Sequence, residues 1–203
     1  MKRIELTKAN KGANKTPDFI GSWLIEPESL CDDLIEFFES NEDLQSPGES
    51  YTGLDEDIKK STDITVLPRD LENPGYEPVR QYIVCLYDCF ADYATQWPFL
   101  KNFPRLEMSS FNIQRYYEGE HFNELHTERD SLGNLHRLMA WMTYLNDVPG
   151  GGETHFEYFG LDVKPEKGKT LIWPAQWTHA HQGTPVTQGT KYVITGWLHF
   201  PPA

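Results

Sequence analysis

The sequence has little cysteine and no long apolar run. No stretch approaches the roughly 18 apolar residues that a membrane-spanning helix needs, and residues 1–6 carry charges with no signal-peptide apolar block behind them. The three cysteines, Cys31, Cys85 and Cys89, cannot form a complete set of disulfides and show no C-x-x-C spacing. Cys85 and Cys89 lie four apart with no other ligand type nearby, so we interpret them as core residues rather than a metal pair. We therefore expect a protein of the reduced cytoplasm, with no membrane as a partner.

Basic residues are scarce as well. The chain has 18 Lys and Arg against 31 Asp and Glu, which gives a formal net charge of −13. Residues 26–57 contain twelve of the acidic residues and no Lys or Arg, and this segment accounts for most of the imbalance. We interpret it as a solvated surface, with a docking surface for a basic partner as the alternative. No basic stripe that could follow phosphates is present, so nucleic acid is not expected as a partner.

The apolar content is high enough for a folded core. Hydrophobic residues make up 38% and aromatic residues 13% of the 203 residues, which excludes intrinsic disorder as the main state. Residues 1–17 have few apolar side chains and predict a flexible or loosely docked arm. Apolar residues recur at helical spacing in residues 28–40 and 78–93, which predicts two amphipathic helices. The turn-rich segment 45–75 between them predicts irregular structure.

Beyond Pro104 short β-prone segments follow one another, separated by Gly, Pro and Asn. Eight such segments at near-regular spacing, with no helical pattern between them, are typical of a β-sandwich or barrel. They are residues 106–117, 121–128, 137–146, 153–159, 161–165, 170–173, 178–186 and 191–200. The sequence thus predicts a mainly β fold. Residues 1–100 would supply the arm and supporting helices, and residues 101–203 the β core, as one integrated domain.

Two pairs of residues indicate metal chemistry. His126 and Glu128 are two apart on the predicted strand 121–128, so their side chains share one face. One imidazole and one carboxylate are two of the three ligands of the facial triad that binds non-haem iron. An H-x-E pair is common by chance. His179 and His181, two apart on another predicted strand, supply the candidates for a third ligand.

Lys191 opens the last predicted strand, ten residues after His181. A facial triad leaves three iron positions open, and a bidentate 2-oxo acid can fill two of them. The far carboxylate of that acid then needs a cation inside the barrel. Lys191 shares its strand face with Val193, Thr195 and Trp197, which indicates an inward position rather than a lysine at the surface.

In these segments the sequence resembles the prolyl 4-hydroxylase-like branch of the Fe(II)/2-oxoglutarate-dependent dioxygenases. The resemblance runs from about Arg105 to Phe200. Its matching segments, in the right order and spacing, are residues 116–119, Arg137 with 144–148, 151–156, 163–168 and 181–186 with Lys191. The resemblance implies a double-stranded β-helix, or jelly roll.

The resemblance also assigns roles to particular residues. The implied metal ligands, which are also the catalytic residues, are His126, Glu128 and His181. The implied residues of the 2-oxoglutarate site are Lys191, Tyr144 and Tyr116. The lysine would bind the C5 carboxylate, Tyr144 would add a hydrogen bond to it, and Tyr116 would line the pocket near the metal. Arg137 is the next candidate for the carboxylate if the lysine does not bind it.

One residue departs from the family pattern. The family usually has Asp two residues after the first His, whereas this chain has Glu128, with Asp130 two residues further on as the alternative ligand. Family spacing to the Pro-Val pair selects His181 and leaves His179 as pocket wall or as a residue supporting the metal ligands. The other histidines are interpreted as surface or hydrogen-bonded strand residues: His121, His136, His155 and His199.

The resemblance implies a dioxygenase that uses Fe(II), O₂ and 2-oxoglutarate, releases succinate and CO₂, and hydroxylates an unactivated C–H bond. A prolyl residue of a peptide or protein is the implied substrate, with ascorbate as a reductant. Two alternatives remain open. One is a nucleic-acid demethylase of the same chemistry, and the other is a cupin-like jelly roll that binds a metal or sugar without oxygenase activity. The sequence does not indicate the oligomeric state.

Overall fold

Two helices form where apolar side chains recur at helical spacing. The computed structural model describes residues 1–6, 17–50 and 53–201, so most of the predicted arm lies outside the described residues. The two predicted helices are confirmed as α1 (Ser29–Ser40) and α2 (Glu77–Gln96), the second about one turn longer than predicted. Cys31 and Cys89 are buried among these helices as core residues, and Cys85 is half-buried beside them.

The strands of the described residues are short and mostly antiparallel neighbours. In chain order they are β1 (Lys2–Arg3), β2 (Gly21–Leu24), β3 (Ser46–Pro47), β4 (Lys59–Lys60), β5 (Thr62–Val66), β6 (Glu107–Met108), β7 (Phe111–Tyr116), β8 (His121–His126), β9 (Arg137–Tyr144), β10 (Gly150–Gly151), β11 (Thr154–Phe156), β12 (Leu161–Val163), β13 (Lys169–Pro174), β14 (His181–Gly183), β15 (Val186–Gln188) and β16 (Lys191–His199).

A large sheet forms one wall of the fold. Its strands lie in the order β1-β2-β13-β9-β16-β7-β5-β3, and β6 pairs with β16. Side chains alternate between its two faces because the strand period is two residues. Trp141, Ile172 and Ile194 point to the helices, whereas Leu171 and Val193 point to the opposite side. The helices therefore cover one face of the sheet and leave the other for a second layer.

That second layer is a smaller sheet in the order β12-β11-β14-β8-β4. Phe156 and Val163 of this sheet pack with Tyr144, Trp173 and Val193 of the large sheet in a second apolar core. The two sheets thus face each other around a shared interior, as in a jelly roll. The predicted fold class, mainly β with supporting N-terminal helices, is confirmed.

The predicted strand 121–128 ends at His126, so Glu128 does not lie on it. Two further predictions about strands are wrong. Residues 45–75 are not irregular throughout, because β4 pairs with β8 and β5 pairs with β7 in the described part of the segment. Residues 178–186 do not form one strand. A 3₁₀ turn, Trp177–His179, precedes the three-residue strand β14. In both segments, pairing with distant strands decides the local structure, and short-range patterns do not report it.

Strands from the first hundred residues are part of the main sheet. β2 pairs with β13, and β5 pairs with β7 at the opposite side of the sheet. No strand was predicted at Gly21–Leu24, whose four residues are too few for a period-two pattern to stand out. Among the helices that the structure describes, none has the length and apolar character that would let it cross a membrane.

Candidate metal centre and its pocket

Three candidate ligand atoms lie close together on the side of the smaller sheet that faces the large sheet. His126 is the last residue of β8 and His181 the first of β14, and the two are directly paired across the strands. Glu128 follows two residues after His126. One side-chain ligand atom from each of the three lies within 4.8 Å of the others. Oε1 of Glu128 is 3.8 Å from Nε2 of His126 and 3.3 Å from Nε2 of His181.

Hydrogen bonds to main-chain carbonyls set the tautomer of both imidazoles. Nδ1 of His126 donates to the Glu124 carbonyl at 2.8 Å, and Nδ1 of His181 donates to the His179 carbonyl at 2.9 Å. Because a carbonyl only accepts, Nδ1 carries the proton and the Nε2 lone pairs face Glu128. A cation bound between these three groups would be stabilised by all of them. Two imidazole nitrogens and one carboxylate oxygen are also the donor set that suits non-haem iron.

The protonation states of the triad suit a metal as well. Burial would raise the pKa of Glu128, but the neighbouring His181, His126 and the Trp197 indole outweigh it and lower the pKa to about 2. Burial, followed by the nearby His181, lowers the pKa of His126 to about 4 against the opposing effect of Glu128. Near neutral pH the carboxyl group is ionised and the His126 ring is neutral, so no proton must be removed from either before a metal binds.

Trp197 and Arg137 hold the carboxylate of Glu128 in place. The Trp197 indole Nε1 donates to Oε2 of Glu128 at 2.7 Å, which leaves Oε1 facing the histidines. The Arg137 guanidinium lies over the Trp197 ring at 3.6 Å and donates to the main-chain carbonyl of Glu128 at 3.2 Å. Glu has one methylene more than Asp and therefore more rotamers, so these contacts restrict a side chain that would otherwise be mobile.

The two alternative ligands have other partners. The exposed Asp130 accepts a hydrogen bond from the Asn134 side chain at 2.7 Å and is not part of the three-residue ligand group, although it lines the pocket. The His179 ring contacts the main-chain oxygen of Asp18 at 2.7 Å and the Thr178 hydroxyl at 2.9 Å. His179 is absent from the described pocket lining. It supports His181 through its main-chain carbonyl instead.

A pocket of about 330 Å³ extends from the metal ligands into the space between the sheets. Lys191 lines it together with Val193, Thr195 and Trp197, so the predicted inward face of the last strand is confirmed. The Lys191 side chain is buried, with Nζ 5.1 Å from the Tyr116 ring centroid. Among the described residues it makes no ion pair. Burial lowers the pKa of Lys191 to about 8, against a weaker opposing effect of Glu153.

The two predicted tyrosines flank this lysine in different ways. Tyr116 lines the pocket, and its hydroxyl donates to the Gln114 side chain at 2.9 Å. The Tyr144 ring lies 5.7 Å from the Lys191 ammonium, and its buried hydroxyl contacts Thr154 at 2.6 Å and the Val163 carbonyl at 3.1 Å. Thr154 and Lys191 both line the pocket, whereas Tyr144 is not among its described lining residues. A direct hydrogen bond from Tyr144 to a bound carboxylate stays a prediction.

Sequence reasoning missed a buried polar network on the pocket wall. Lys59 forms a 2.6 Å ion pair with Asp63, and both side chains are buried. Gln114 donates to the same Asp63 oxygen at 3.0 Å and accepts from Tyr116, so the network reaches the predicted tyrosine. No local signal marked Lys59 or Asp63, because the pairing of β4 with β8 and of β5 with β7 brings them to the pocket.

The remaining histidines lie outside the three-residue ligand group of the described chain. His155 contacts Asp162 at 2.6 Å and Glu157 at 3.3 Å on the surface. The rings of His136 and His199 pack edge to face at 5.1 Å.

Comparison with known proteins gives a consistent picture. Residues 111–199 match the family model of the 2OG-Fe(II) oxygenase superfamily. The chain is 31% identical over 121 residues to probable prolyl 4-hydroxylase 9 of Arabidopsis thaliana, covering 47% of this chain and 42% of that protein. It is 30% identical over 105 residues to human prolyl 4-hydroxylase subunit alpha-1, covering 46% of this chain and 20% of that protein. The alignments thus span less than half the length of these curated relatives.

Solved structures show the same fold. A Pseudomonas putida prolyl-4-hydroxylase aligns over 90% of this chain and 92% of its own, with a TM-score of 0.68 and 18% identity. A Trichoplax adhaerens prolyl hydroxylase in complex with a hypoxia inducible factor peptide fragment aligns over 90% and 84%, with a TM-score of 0.69 and 15% identity. The predicted resemblance is confirmed. The family match and the His-Glu-His group support Fe(II) and 2-oxoglutarate as cofactor and co-substrate.

We expect single substitutions to separate the metal ligands from their neighbours. Ala at His126, Glu128 or His181 should weaken Fe(II) binding by more than about 100-fold, because each removes one of three ligands. Asp130→Ala and His179→Ala should stay within about tenfold of the parent, since neither removes a ligand atom. Anaerobic calorimetric titration with Fe(II) measures the affinities. Retained affinity in Glu128→Ala with loss in Asp130→Ala would transfer the ligand role to Asp130.

Removing the indole donor should also weaken metal binding. Trp197→Phe keeps an aromatic ring under Arg137 but deletes the hydrogen bond to Glu128, so we expect a loss of about 10–100-fold in Fe(II) affinity. The exposed Trp177, outside the described pocket lining, gives the matched control, Trp177→Phe. Equal affinities in the two variants would show that the indole does not restrain the carboxylate.

Proposed function

We propose that this chain is an Fe(II)- and 2-oxoglutarate-dependent dioxygenase that hydroxylates an unactivated C–H bond, with succinate and CO₂ as co-products. A prolyl residue of a peptide or protein is the proposed substrate, as in the prolyl 4-hydroxylases that the chain resembles. His126, Glu128 and His181 would hold the iron. When bound, the iron supplies the activation of O₂ that couples decarboxylation of the 2-oxo acid to hydroxylation.

The observation that carries this proposal is that one pocket contains two groups that each call for a ligand. His126, Glu128 and His181 offer one ligand atom each within 4.8 Å of one another, and the buried Lys191 has no carboxylate partner among the described residues. An isolated buried charge is costly, and burial of an ammonium is compensated best by an anion with which it forms charge-assisted hydrogen bonds. A dicarboxylate with a 2-oxo group at one end meets both needs, because one end chelates a metal and the other is anionic.

The residues around the pocket would orient the co-substrate and exclude water. Lys191 would bind the C5 carboxylate, with Tyr116 beside it on the large sheet and Thr154 on the smaller sheet. Tyr144 would contribute through its contact with Thr154, or directly if its hydroxyl turns towards the pocket. Arg137 lies against Trp197 and Glu128, which favours a role at the metal ligands rather than at the distant carboxylate. We also propose that the enzyme uses ascorbate as a reductant.

Two alternatives fit the pocket less well. A nucleic-acid demethylase needs cations that follow phosphates, whereas Glu49, Glu124 and Asp130 line this pocket. A cupin-like metal or sugar binder would account for the metal ligands but leaves the buried Lys191 unexplained.

Turnover with candidate substrates tests the proposal. With Fe(II), O₂ and 2-oxoglutarate, we expect succinate release and the gain of one oxygen by a proline-containing peptide, both measured by mass spectrometry. Methylated oligonucleotides serve as the competing substrates. Their demethylation would favour the second enzyme activity, and a metal-loaded protein that releases no succinate with any substrate would point to the non-oxygenase binder.

Lys191 should control the affinity for 2-oxoglutarate and its pH dependence. Lys191→Ala should reduce the affinity roughly 100- to 1000-fold, since an unpaired buried carboxylate costs on the order of 3–5 kcal/mol. In the parent, a bound carboxylate stabilises the ammonium and raises the pKa of Lys191 above its free value of about 8. Affinity should therefore be constant below pH 8 and fall up to tenfold per pH unit above it.

Anaerobic titration of the visible band of the iron–2-oxo acid chelate, from pH 6 to pH 9.5, measures this affinity. The control is Lys169→Ala, because Lys169 is a buried lysine that already pairs with Glu166 at 2.7 Å outside the described pocket lining. Lys191→Arg should keep the charge and lose the decline above pH 8. An Ala variant within a few-fold of the parent would exclude Lys191 as the anchor.

A further inference from the structure

Strand β8 bulges immediately before the metal ligand His126. His126 pairs with His181 and Phe122 pairs with Gly183, so four residue steps on β8 span two steps on β14. The two extra residues bring the Phe122 ring against the His126 ring, stacked at 4.1 Å and 15°. They also aim the Glu124 carbonyl at Nδ1 of His126. Bulges beside active sites commonly redirect a side chain, and the side chain redirected here is that of Glu124.

The Glu124 carboxylate lines the pocket with one oxygen unsatisfied. Its Oε2 is buried and has no hydrogen-bond partner among the described residues. The cations that line the same pocket are otherwise engaged: Lys59 pairs with Asp63, and Arg137 lies on Trp197. A buried carboxylate oxygen without a donor costs free energy. The Glu124 carboxylate makes no hydrogen bond or ion pair among the described residues, and a cationic group of a molecule in the pocket would supply that partner.

The charges near Glu124 favour a cationic donor. Glu49 and Asp130 are exposed residues that line the same pocket, and Glu49 belongs to the acidic segment 26–57. They add negative charge to a pocket whose lining cations Lys59 and Arg137 already face carboxylates of this chain. Lys191, the cation in the pocket without an ion-pair partner in the described chain, is assigned to the co-substrate. Because Lys59 and Arg137 are paired with Asp63 and Glu128, the unpaired charges left for the prime substrate are carboxylates.

We propose that Glu124 is a specificity-determining residue that binds the ammonium or guanidinium group of a Lys or Arg flanking the hydroxylated residue. The substrate class is therefore a cationic peptide. This inference rests on the proposed function, because it assumes that a peptide enters the pocket. Glu124 lies two residues from the metal ligand His126. The Lys or Arg that it binds therefore lies close, in the sequence of the substrate peptide, to the residue that faces the metal.

Binding without turnover tests the inference separately from the chemistry. The protein, loaded with Mn(II) and 2-oxoglutarate under anaerobic conditions, is titrated into three fluorescein-labelled peptides. These carry one proline flanked by Lys, by Gln or by Glu and are otherwise identical. Fluorescence anisotropy gives the affinities. We expect the Lys peptide to bind about tenfold more tightly than the Gln peptide, and the Glu peptide to bind more weakly than both.

Variants assign this preference to one carboxylate. Glu124→Gln keeps the main-chain carbonyl that orients His126, so metal and 2-oxoglutarate affinities should be unchanged. It should bring the Lys and Gln peptides within about twofold of each other without weakening the Gln peptide. Glu124→Lys should reverse the order and favour the Glu peptide. Glu36→Gln, an exposed carboxylate on α1, is the control that changes net charge equally.

Three results would overturn the inference. In the first, the three peptides bind with equal affinity. In the second, Glu124→Gln weakens the binding of all three peptides equally, as the loss of a contact to the peptide main chain would. In the third, the preference for the Lys peptide survives in Glu124→Gln and vanishes at 0.5 M salt. The last result would assign the selectivity to the acidic surface. If the Lys peptide binds with the expected dependence on Glu124 but gains no oxygen under turnover conditions, the proposed reaction fails while the cation site stands.

Discussion

The structure depends on the pairing of His126 with His181 across two short strands. Each ring is turned by a hydrogen bond from Nδ1 to a main-chain carbonyl, so that both Nε2 lone pairs meet at Glu128. Two imidazole nitrogens and one carboxylate oxygen that meet in this way are a donor set suited to a shared metal cation. Trp197 and Arg137 on the facing sheet complete it by holding the second carboxylate oxygen away from the metal position.

The rest of the fold supports the positions of His126, His181 and Glu128. The helices α1 and α2 pack on the outer face of the large sheet and leave its inner face for the pocket. The apolar core formed by Tyr144, Phe156 and Trp173 fills part of the space between the sheets. The polar remainder contains the Glu128 carboxylate beside the two histidines and, separate from them, the buried Lys191, and the separation of these two charges gives the pocket a direction.

The pocket contains further polar groups besides the three candidate metal ligands, and the same sheets position them. The two additional residues in β8 supply both the carbonyl that orients His126 and the Glu124 carboxylate that faces the pocket. The Lys59–Asp63 pair on the neighbouring wall connects through Gln114 to Tyr116. A buried ion pair contributes little net stability, but it fixes the positions of the groups that it contacts.

The sequence by itself determined the features that depend on residues close to one another in the chain. Helical spacing predicted α1 and α2, and strand alternation predicted the inward face of Lys191. The family resemblance implied a jelly roll with candidate ligands His126, Glu128 and His181. Tertiary structure alone decided the rest. Whether Glu128 or Asp130 faces the histidines depends on where β8 ends and on a Trp197 donor 69 residues away. The strands β2, β4 and β5, the Lys59–Asp63 network and the bulge that exposes Glu124 all arise from pairing between distant segments. That pairing leaves no periodic signal in the residues that form it.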